Sequence, residues 1–381
     1  MSENVTLIVA TGVQGNSEPE RDLNRALEAN TLDLLDRTGS VAAFDRRILI
    51  TNSDFLVDSC TSDNPDVSVE RTSENFHFGE FLFDIIKSYD IENLFYIGGG
   101  SGPLFSSKDF ERVADFLVES SGVLLANNFY SADMIGLSPA QEILNQNSPK
   151  KDNELGWLAR ESGLEPYEMT RSAKTQLDLD TPADLIPLKL SDRANGRLKD
   201  HLSMVSSENT KVREILPQFT DQKSRLIIAG RLGASTWSYM EKNAACQIDV
   251  ISEGRGSYTG ASQRGLKSLW LGKTLNDRGP KEFIQAFGKK GSGFFLDTRV
   301  LFEFTGEWPS RQDRFFSDLL NPSLIEVDYL RELTRAAIEY SKPVVLGGHS
   351  MISGSLYLLT DIAWEMSSPK SANIRPETFK L

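Results

Sequence analysis

The chain has little of what disulfide-bonded, zinc-binding and membrane proteins need. Its 381 residues include only two cysteines, Cys60 and Cys246, and three histidines. Two distant cysteines are typical of a reducing cytosol, and no spaced Cys/His cluster predicts zinc. No apolar run approaches the roughly 20 residues that span a bilayer, and no signal-peptide pattern opens the chain. We therefore expect a soluble, cytoplasmic protein.

Positive charge is scarce as well. Lys and Arg together number 41 against 54 Asp and Glu, which gives a net charge of −13. This balance argues against a broad basic surface for nucleic acid or anionic lipid, although it permits a local anion site. The phosphate-binding motif Gly-x4-Gly-Lys-Ser/Thr is also absent. We expect small-molecule partners, no nucleic acid and no membrane, and the sequence leaves the oligomeric state open.

What is present is an alternation of short apolar runs with stretches of helical period. The predicted strands lie at residues 6–10, 47–51, 93–97, 122–126, 226–229, 247–251, 268–271, 294–298 and 344–346. This order predicts an α/β fold with mainly parallel sheets, in which ligands bind outside the carboxyl ends of the strands. The length favours two domains. We place them at 1–190 and 224–381, the second Rossmann-like, with a polar connecting segment at 191–223.

The stretch LDLDTPADL, residues 177–185, is the most informative motif of the first domain. Asp178 and Asp180 alternate with leucines on a strand-like segment, so both carboxylates project to one face and suit a hard divalent cation. Thr181 and Pro182 then suit the N-cap and the first position of a helix. A strand end followed by a well-capped helix explains the same residues without a metal.

LDLDTPADL resembles the Asp-Ile-Asp-Thr-Pro-Glu-Asp segment that closes the nucleotide-binding core of small nucleotidyltransferases. These include the molybdenum-cofactor guanylyltransferases and the 2-phospho-lactate guanylyltransferases. The order of ILITNSD and NLFYIGGGSGPLFSSKDF is similar as well, and the resemblance covers about residues 1–190. It implies a three-layer α/β/α domain of the glycosyltransferase-A kind. The second domain resembles no family.

The resemblance also implies a reaction. In that family an acceptor oxygen attacks the α-phosphorus of a nucleoside triphosphate and pyrophosphate leaves, with Mg²⁺ between phosphates and aspartates. This implies a nucleoside triphosphate as donor and Mg²⁺ as cofactor. The turn that holds phosphates is then Thr11, Gly12 and Gly15, and Asp180 is the metal ligand with Asp178 beside it.

The chain departs from the family pattern at two points. It has no lysine before Lys87, so Arg21 or Arg25 must replace the lysine that the family places after its first turn. Where the family keeps an aspartate before Pro-Leu, this chain has Ser101, and Asp133 is the predicted replacement as metal ligand. A nucleotide- or sugar-nucleotide-binding protein that has lost its chemistry is therefore an alternative.

Two further loops follow predicted strands of the first domain. YIGGGSGPLFSS offers Gly99, Gly100 and Ser101 as contacts to a phosphate or ribose, and it is equally typical of a tight strand-to-helix turn. LLANNFYSADMIGL offers Asn127 and Asn128, whose amides suit recognition of a small polar molecule. Asx-rich turns also arise for backbone reasons alone.

Three glycine- or charge-bearing loops form the candidate ligand site of the second domain. IIAGRLGAS has the layout for anion capture at a helix start, and the strand after it ends in an acid where such folds bind ribose. FLDTRVLF places an acid and an arginine on one face of a strand, as a site or a structural salt bridge. VVLGGHSMISGSL is not an α/β-hydrolase elbow, because no histidine follows its serine. The candidate residues are Gly230, Gly233, Ser235, Glu253, Asp297, Arg299, His349 and Ser350. An active site in this domain is a third hypothesis.

Overall fold

The computed structural model describes residues 4–63, 65–73, 76–205, 209–254, 270–305 and 308–367. The chain divides into two compact units. Unit 1 comprises Met1–Gly15, Asn24–Asp178 and Ala194–Ser203, and unit 2 comprises Asn16–Leu23, Leu179–Arg193 and Met204–Leu381. Residues 194–203 were predicted to connect two domains, and here they group with unit 1.

Seven strands form the sheet of unit 1. They are β1 (Thr6–Thr11), β2 (Arg46–Thr51), β3 (Val67–Arg71), β4 (Leu94–Gly98), β5 (Val123–Ala126), β6 (Met134–Ser138) and β7 (Glu165–Glu168). Their order is β3-β2-β1-β4-β6-β5-β7, and β6 runs antiparallel to both of its neighbours. The mainly parallel sheet is therefore confirmed, as are the four strands predicted for this half of the chain. Strands β3, β6 and β7 were not predicted.

Helices separate these strands, and several of them form where the sequence has apolar residues at helical spacing. They are α1 (Glu18–Gly39), α2 (Asp54–Asp63), α3 (Phe78–Ser88), α4 (Ser107–Glu119), α5 (Leu155–Glu161), α6 (Ala173–Gln176), α7 (Leu185–Ser191) and α8 (Gly196–Met204). Those that follow are α9 (Thr210–Phe219), α10 (Ala234–Asn243), α11 (Trp270–Gly288), α12 (Arg299–Thr305), α13 (Arg311–Asp318), α14 (Asp328–Glu339) and α15 (Gly354–Met366).

Both faces of the sheet in unit 1 are buried, because alternate residues of β1 enter different cores. Leu7 packs in one core with Leu34 of α1 and Phe110 of α4. Ile8 packs in the other with Leu82 of α3. Helices therefore cover both faces, which makes the α/β/α layering that the resemblance implied.

In the described part of unit 2, four strands form a parallel sheet. They are β8 (Arg225–Gly230), β9 (Gln247–Ser252), β10 (Gly293–Asp297) and β11 (Val344–Gly347), in the order β11-β10-β8-β9. Phe294 packs in a core with Leu330 of α14, and Phe295 meets Phe219 of α9 at 6.0 Å between ring centroids. The strand predicted at 268–271 is wrong, since Trp270 and Leu271 begin α11, and residues 268 and 269 lie outside the described residues.

Candidate functional site

The first turn of unit 1 is held by the strand beside it. The backbone N–H of Val13 donates to Asn52 Oδ1 at 2.8 Å, and Asn52 Nδ2 donates back to the Val13 carbonyl at 3.0 Å. Gly12 is exposed, and a Cβ added there would meet no atom within 4 Å. Gly15 has φ 75°, a conformation that favours glycine. Asn52 thus fixes the shape of the turn and leaves the Gly12 backbone open to a ligand.

The glycines after β4 pack against this turn. A Cβ at Gly99 would lie 2.0 Å from Thr11 Oγ1, so the strand end approaches β1 too closely for any side chain. Asn30 Nδ2 donates to the carbonyls of Gly99 and Ser101 at 2.8 and 3.0 Å. Gly100 lies between these two anchored residues and is half-buried. The bare backbone of this loop therefore serves close packing at Gly99.

Ser101 contacts the predicted metal-binding segment directly. Its hydroxyl donates to Asp178 Oδ1 at 2.8 Å, and the two residues form an isolated antiparallel β-bridge. No strand forms around this bridge in residues 177–185, all of which are described. Asp178 is half-buried and Asp180 is exposed, while the leucines between and before them are buried. The predicted alternation of sides is therefore present although the strand is not.

Three carboxylates act electrostatically on one buried hydroxyl at β4, that of Tyr96. Tyr96 donates to Asp152 Oδ2 at 3.2 Å. Burial raises the pKa of Tyr96 well above its ordinary value, and the nearby charges of Asp152, Asp133 and Asp178 raise it further. Asp133 also accepts the N–H of Gly98 through its backbone carbonyl at 2.9 Å. The structure thus places Asp133 and Asp178, both predicted from the sequence, within electrostatic reach of the same hydroxyl.

The two predicted asparagines hold their own loop. Asn127 is buried, its Oδ1 accepts the N–H groups of Asp133 and Met134 at 3.1 Å each, and its Nδ2 donates to the Thr175 carbonyl at 3.0 Å. Asn128 Oδ1 accepts from Arg171 Nη2 at 3.2 Å. These bonds explain both residues as loop supports, and their contact with a nucleotide stays a prediction.

A cavity of about 610 Å³ opens at the carboxyl ends of β1, β2 and β3. Its polar wall includes Gly12, Gln14, Asn52, Thr72 and Ser73. The rings of Phe76, Phe78 and Tyr96 line another part, and Lys150, Lys151 and Asp152 complete it. This volume lies in the range of small-molecule sites. Sequence reasoning missed the two lysines, because nothing in the residues around them indicates that they line the same cavity as the first turn.

The predicted cap of the DTPAD segment is confirmed in unit 2. The N–H and the hydroxyl of Thr181 both donate to Asp184 Oδ2, at 2.8 and 3.0 Å, and Pro182 begins the turn that leads into α7. Burial and, to a smaller extent, the charge of Asp180 raise the pKa of Asp184 to about 8, although hydrogen bonds from Thr181 and Ser350 act to lower it. Asp184 is therefore mostly protonated at neutral pH.

Arg21 and Asp180 also belong to unit 2. Arg21 lies in the first turn of α1 and is exposed, and its Nη1 donates to the carbonyl of Asn16, just before the helix. Asp180 acts electrostatically on Arg311 and on Asp184. The division of the chain thus passes between Asp178 and Asp180.

The acid and the arginine of FLDTRVLF do not pair with each other through their side chains. β10 ends at Asp297 and Arg299 begins α12, so the expectation that they share one strand face is wrong. Arg231 Nε donates to Asp297 Oδ2 at 2.5 Å, whereas Arg299 Nη1 and Nη2 donate to the two oxygens of Asp318 at 2.6 Å each. Helix geometry turns Arg299 toward α13 instead.

The other candidates of unit 2 lie at helix starts. Gly233 is the N-cap of α10, with Ser235 in its first turn. Glu253 Oε1 and Oε2 accept the N–H groups of Trp270 and Leu271 at 3.1 and 3.0 Å. Both carboxylate oxygens of Glu253 therefore cap α11, a structural role that its predicted position did not indicate.

Two histidines differ in kind. His77 is the N-cap of α3, and its Nδ1 accepts the N–H of Glu80 at 3.3 Å. His349 follows β11, is half-buried and lies within electrostatic reach of Asp297. Ser350 beside it is buried.

Neither a cluster of three metal-binding side chains nor a membrane-spanning helix is found among the described residues. No three or more His, Cys, Asp or Glu side chains there converge as a metal site. Mg²⁺ often binds through one or two carboxylates together with substrate phosphates and water, so Asp133 and Asp178 remain chemically suitable ligands. No helix among these residues is long and apolar enough to cross a membrane.

Comparison with known proteins returns structures but no sequence family. No protein-family model and no curated protein matches the chain. A cytidylyltransferase from Leptospira borgpetersenii is similar over 53% of this chain and 93% of its own, with 16% identity and a TM-score of 0.38. A nucleotidyl transferase from Methanothermobacter thermautotroptrophicus is similar over 53% and 99%, with 15% identity and a TM-score of 0.38. Since likeness at this level says nothing about activity, the functional argument rests on the residues of the site.

Proposed function

We propose that unit 1 binds a nucleoside triphosphate in the cavity at the carboxyl ends of β1 to β3. One observation carries the proposal: aromatic rings, a pair of lysines and an open glycine turn all line one cavity. Phe76 and Phe78 suit a nucleobase, whereas Lys150 and Lys151 suit a polyphosphate. In a chain of net charge −13, the lining of this cavity has a net positive charge, since it carries two lysines and one carboxylate, Asp152.

The reaction that we propose is nucleotidyl transfer to a small phosphorylated or hydroxylated acceptor. An acceptor oxygen forms a bond to the α-phosphorus, the bond to the β-phosphate oxygen breaks, and pyrophosphate leaves. The backbone at Gly12 and the two lysines position the phosphates and balance their charge. Asp133 and Asp178 of unit 1 are our proposed Mg²⁺ ligands, whereas Asp180, the ligand that the resemblance implied, groups with unit 2. Magnesium bound there supplies positive charge to the phosphate oxygens.

A second candidate function is nucleotide binding without chemistry. It is favoured by Ser101, which occupies the position of a family carboxylate and spends its hydroxyl on Asp178. Pyrophosphate release separates the two, because only a transferase produces it. In an assay with candidate acceptors, the Asp178→Asn variant should lose release while still binding nucleotide.

Calorimetric titration of the full chain with GTP, CTP, UTP and ATP, each with and without Mg²⁺, tests the binding step. The double variant Lys150→Gln/Lys151→Gln should bind the preferred triphosphate at least about tenfold more weakly, since a charge-assisted hydrogen bond contributes about 1.5–3 kcal/mol. Binding of the corresponding nucleoside should not change, because it carries no phosphate.

The matched control is Lys87→Gln/Lys108→Gln, which removes the same charge from two exposed lysines of unit 1 on α3 and α4. It should bind every ligand as the wild type does. Absence of binding by all four triphosphates would overturn the proposed function. If both double variants lost triphosphate affinity equally, the loss would be due to the change in net charge and not to the cavity lysines.

A further inference from the structure

The sheet of unit 2 reverses its strand order between β8 and β10. From β8 the chain forms β9 on one side, and it then returns to form β10 on the other side. Ligands of doubly wound sheets bind in the crevice outside the carboxyl ends at such a reversal. Gly230 ends β8 and Asp297 ends β10 at this point.

The two strand ends approach each other unusually closely. Gly230 has φ 131°, and a Cβ added to it would lie 2.4 Å from Asp297 Cβ. Only glycine fits both the conformation and the space. The next residue, Arg231, then donates to Asp297 through Nε at 2.5 Å and Nη2 at 3.1 Å. Asp297 Oδ1 also accepts the backbone N–H of Arg299 at 3.1 Å.

A second ion pair, Arg299–Asp318, lies beside the first, and in both pairs the aspartate is the more deeply buried partner. The side chains of Asp297 and Asp318 are 0% exposed, whereas those of Arg231 and Arg299 are 16% and 7% exposed. In each pair the arginine is therefore the more exposed partner, and Arg231 is the more exposed of the two arginines. Buried ion pairs commonly stabilise a fold no better than apolar packing does. Two of them at a strand-order reversal point to a role beyond stability.

The neighbouring groups add little negative charge to this edge of the sheet. His349 is half-buried after β11 and lies within electrostatic reach of Asp297. Asp184, which acts electrostatically on Arg299, has a pKa of about 8, so at neutral pH it adds little negative charge. An incoming molecule therefore meets guanidinium and imidazole before it meets carboxylate.

We propose that Arg231 and His349 bind the phosphate or carboxylate group of a small molecule at this edge of unit 2. A guanidinium held on one edge by a buried carboxylate is pre-oriented, and its fork matches the oxygens of either anion. The proposal goes beyond the nucleotide cavity of unit 1 and does not depend on it.

Calorimetric titration of the full chain with inorganic phosphate and, separately, with citrate at constant ionic strength tests the proposal and distinguishes the two anion chemistries. Arg231→Lys keeps a positive partner for Asp297 but removes the fork, and His349→Gln leaves both ion pairs intact. We expect each variant to raise the Kd of the bound anion at least about fivefold, the loss expected for one charge-assisted contact. Arg335→Gln, an exposed arginine of α14, is the matched control and should leave the Kd unchanged.

The melting temperature without ligand shows whether each variant folds. Because His349→Gln keeps both arginine–aspartate pairs, Arg231–Asp297 and Arg299–Asp318, it decides the matter even if Arg231→Lys unfolds. An unchanged Kd in His349→Gln overturns the proposal, and so does the absence of binding by both anions. Loss of phosphate binding only in Lys150→Gln/Lys151→Gln overturns it too, since the anion then occupies the cavity of unit 1. Failure of all nucleoside triphosphates to bind would count against the proposed function alone.

Discussion

At the scale of single residues, two glycines of the candidate site are glycine for different reasons. Gly99 has Thr11 at a distance that excludes any side chain, and its carbonyl is held by Asn30. Gly12 has open space around it. Packing therefore explains Gly99, whereas no contact among the described residues requires glycine at position 12. Close approach of a ligand to the backbone would explain the glycine at position 12.

The substitutions Gly99→Ala and Gly12→Ala should separate these reasons. Gly99→Ala should lower the free energy of unfolding by about 1–3 kcal/mol, the usual cost of overpacking a buried position. Gly12→Ala should leave it within about 0.5 kcal/mol and weaken triphosphate binding instead. Urea unfolding and calorimetry measure the two effects. Equal stability of the two variants would contradict the packing argument.

Asp184 carries a pH dependence that is predicted at the same scale. Its pKa is about 8 in the folded chain, chiefly because of burial, against about 3.9 in an unfolded chain. The folded state therefore holds this proton more tightly, so the contribution is complete below about pH 4 and is lost as the pH rises toward 8. Asp184→Asn cannot ionise, and its free energy of unfolding should fall less over that range.

Denaturant unfolding at several pH values between about 4 and 8 measures the difference. Asp277→Asn, at an exposed position of α11, should follow the wild-type pH profile. If Asp184→Asn kept the wild-type slope, the proton on Asp184 would not be linked to folding. The amide oxygen of the asparagine can still accept from Thr181, so the cap itself is preserved.

At the scale of elements, the sequence predicted the central strands and missed the edges. β1 and β4 are apolar runs because both of their faces are buried, and such runs are visible in the sequence. β7 reads Glu-Pro-Tyr-Glu and lies at the edge of the sheet, half-buried or exposed, so its residues carry no strand signal. The run Ser-Leu-Trp-Leu at 268–271 has the apolar character of a strand. Its cap, Glu253, is distant in sequence, so local reasoning could not place a helix start there.

The role of Glu253 as a helix cap gives a prediction for this element. Glu253→Ala should lower the free energy of unfolding by about 0.5–2 kcal/mol, because two N–H groups of α11 lose their acceptor and the helix dipole loses its charge partner. Glu282→Ala, at an exposed position of the same helix, is the matched control and should change it by less than about 0.5 kcal/mol. Thermal unfolding measures both. Unchanged stability of Glu253→Ala together with lost nucleotide binding would restore the ribose-binding prediction.

At the scale of the whole molecule, polar contacts join segments that are distant in sequence, and no local sequence pattern predicts these contacts. The buried carboxylate of Asp33 in α1 accepts the backbone N–H groups of Arg197 and Leu198 at 2.9 and 3.0 Å. These residues begin α8, inside the stretch predicted as a connecting segment. The segment therefore contributes structure to unit 1.

Two aspartates of α1 test this tie. Asp33→Ala should cost about 1–3 kcal/mol of unfolding free energy, because it leaves two N–H groups of α8 without their acceptor. Asp36→Ala removes the exposed ion pair of Asp36 with Arg197 and should cost less than about 1 kcal/mol. Chemical denaturation of the full chain compares them. Equal costs would mean that α8 contributes little to the stability of unit 1.

The sequence by itself determined the α/β alternation, the central strands, the capped turn at Thr181 and the glycine turn at Gly12. Each of these depends on residues within a few positions of one another, where periodicity, capping and φ preference act. Only the tertiary structure decided that Lys150 and Lys151 line the cavity and that Asp297 pairs with Arg231 rather than Arg299. Such partners are chosen by the path of the chain between distant elements, and side-chain chemistry alone allows many pairings of the same charges.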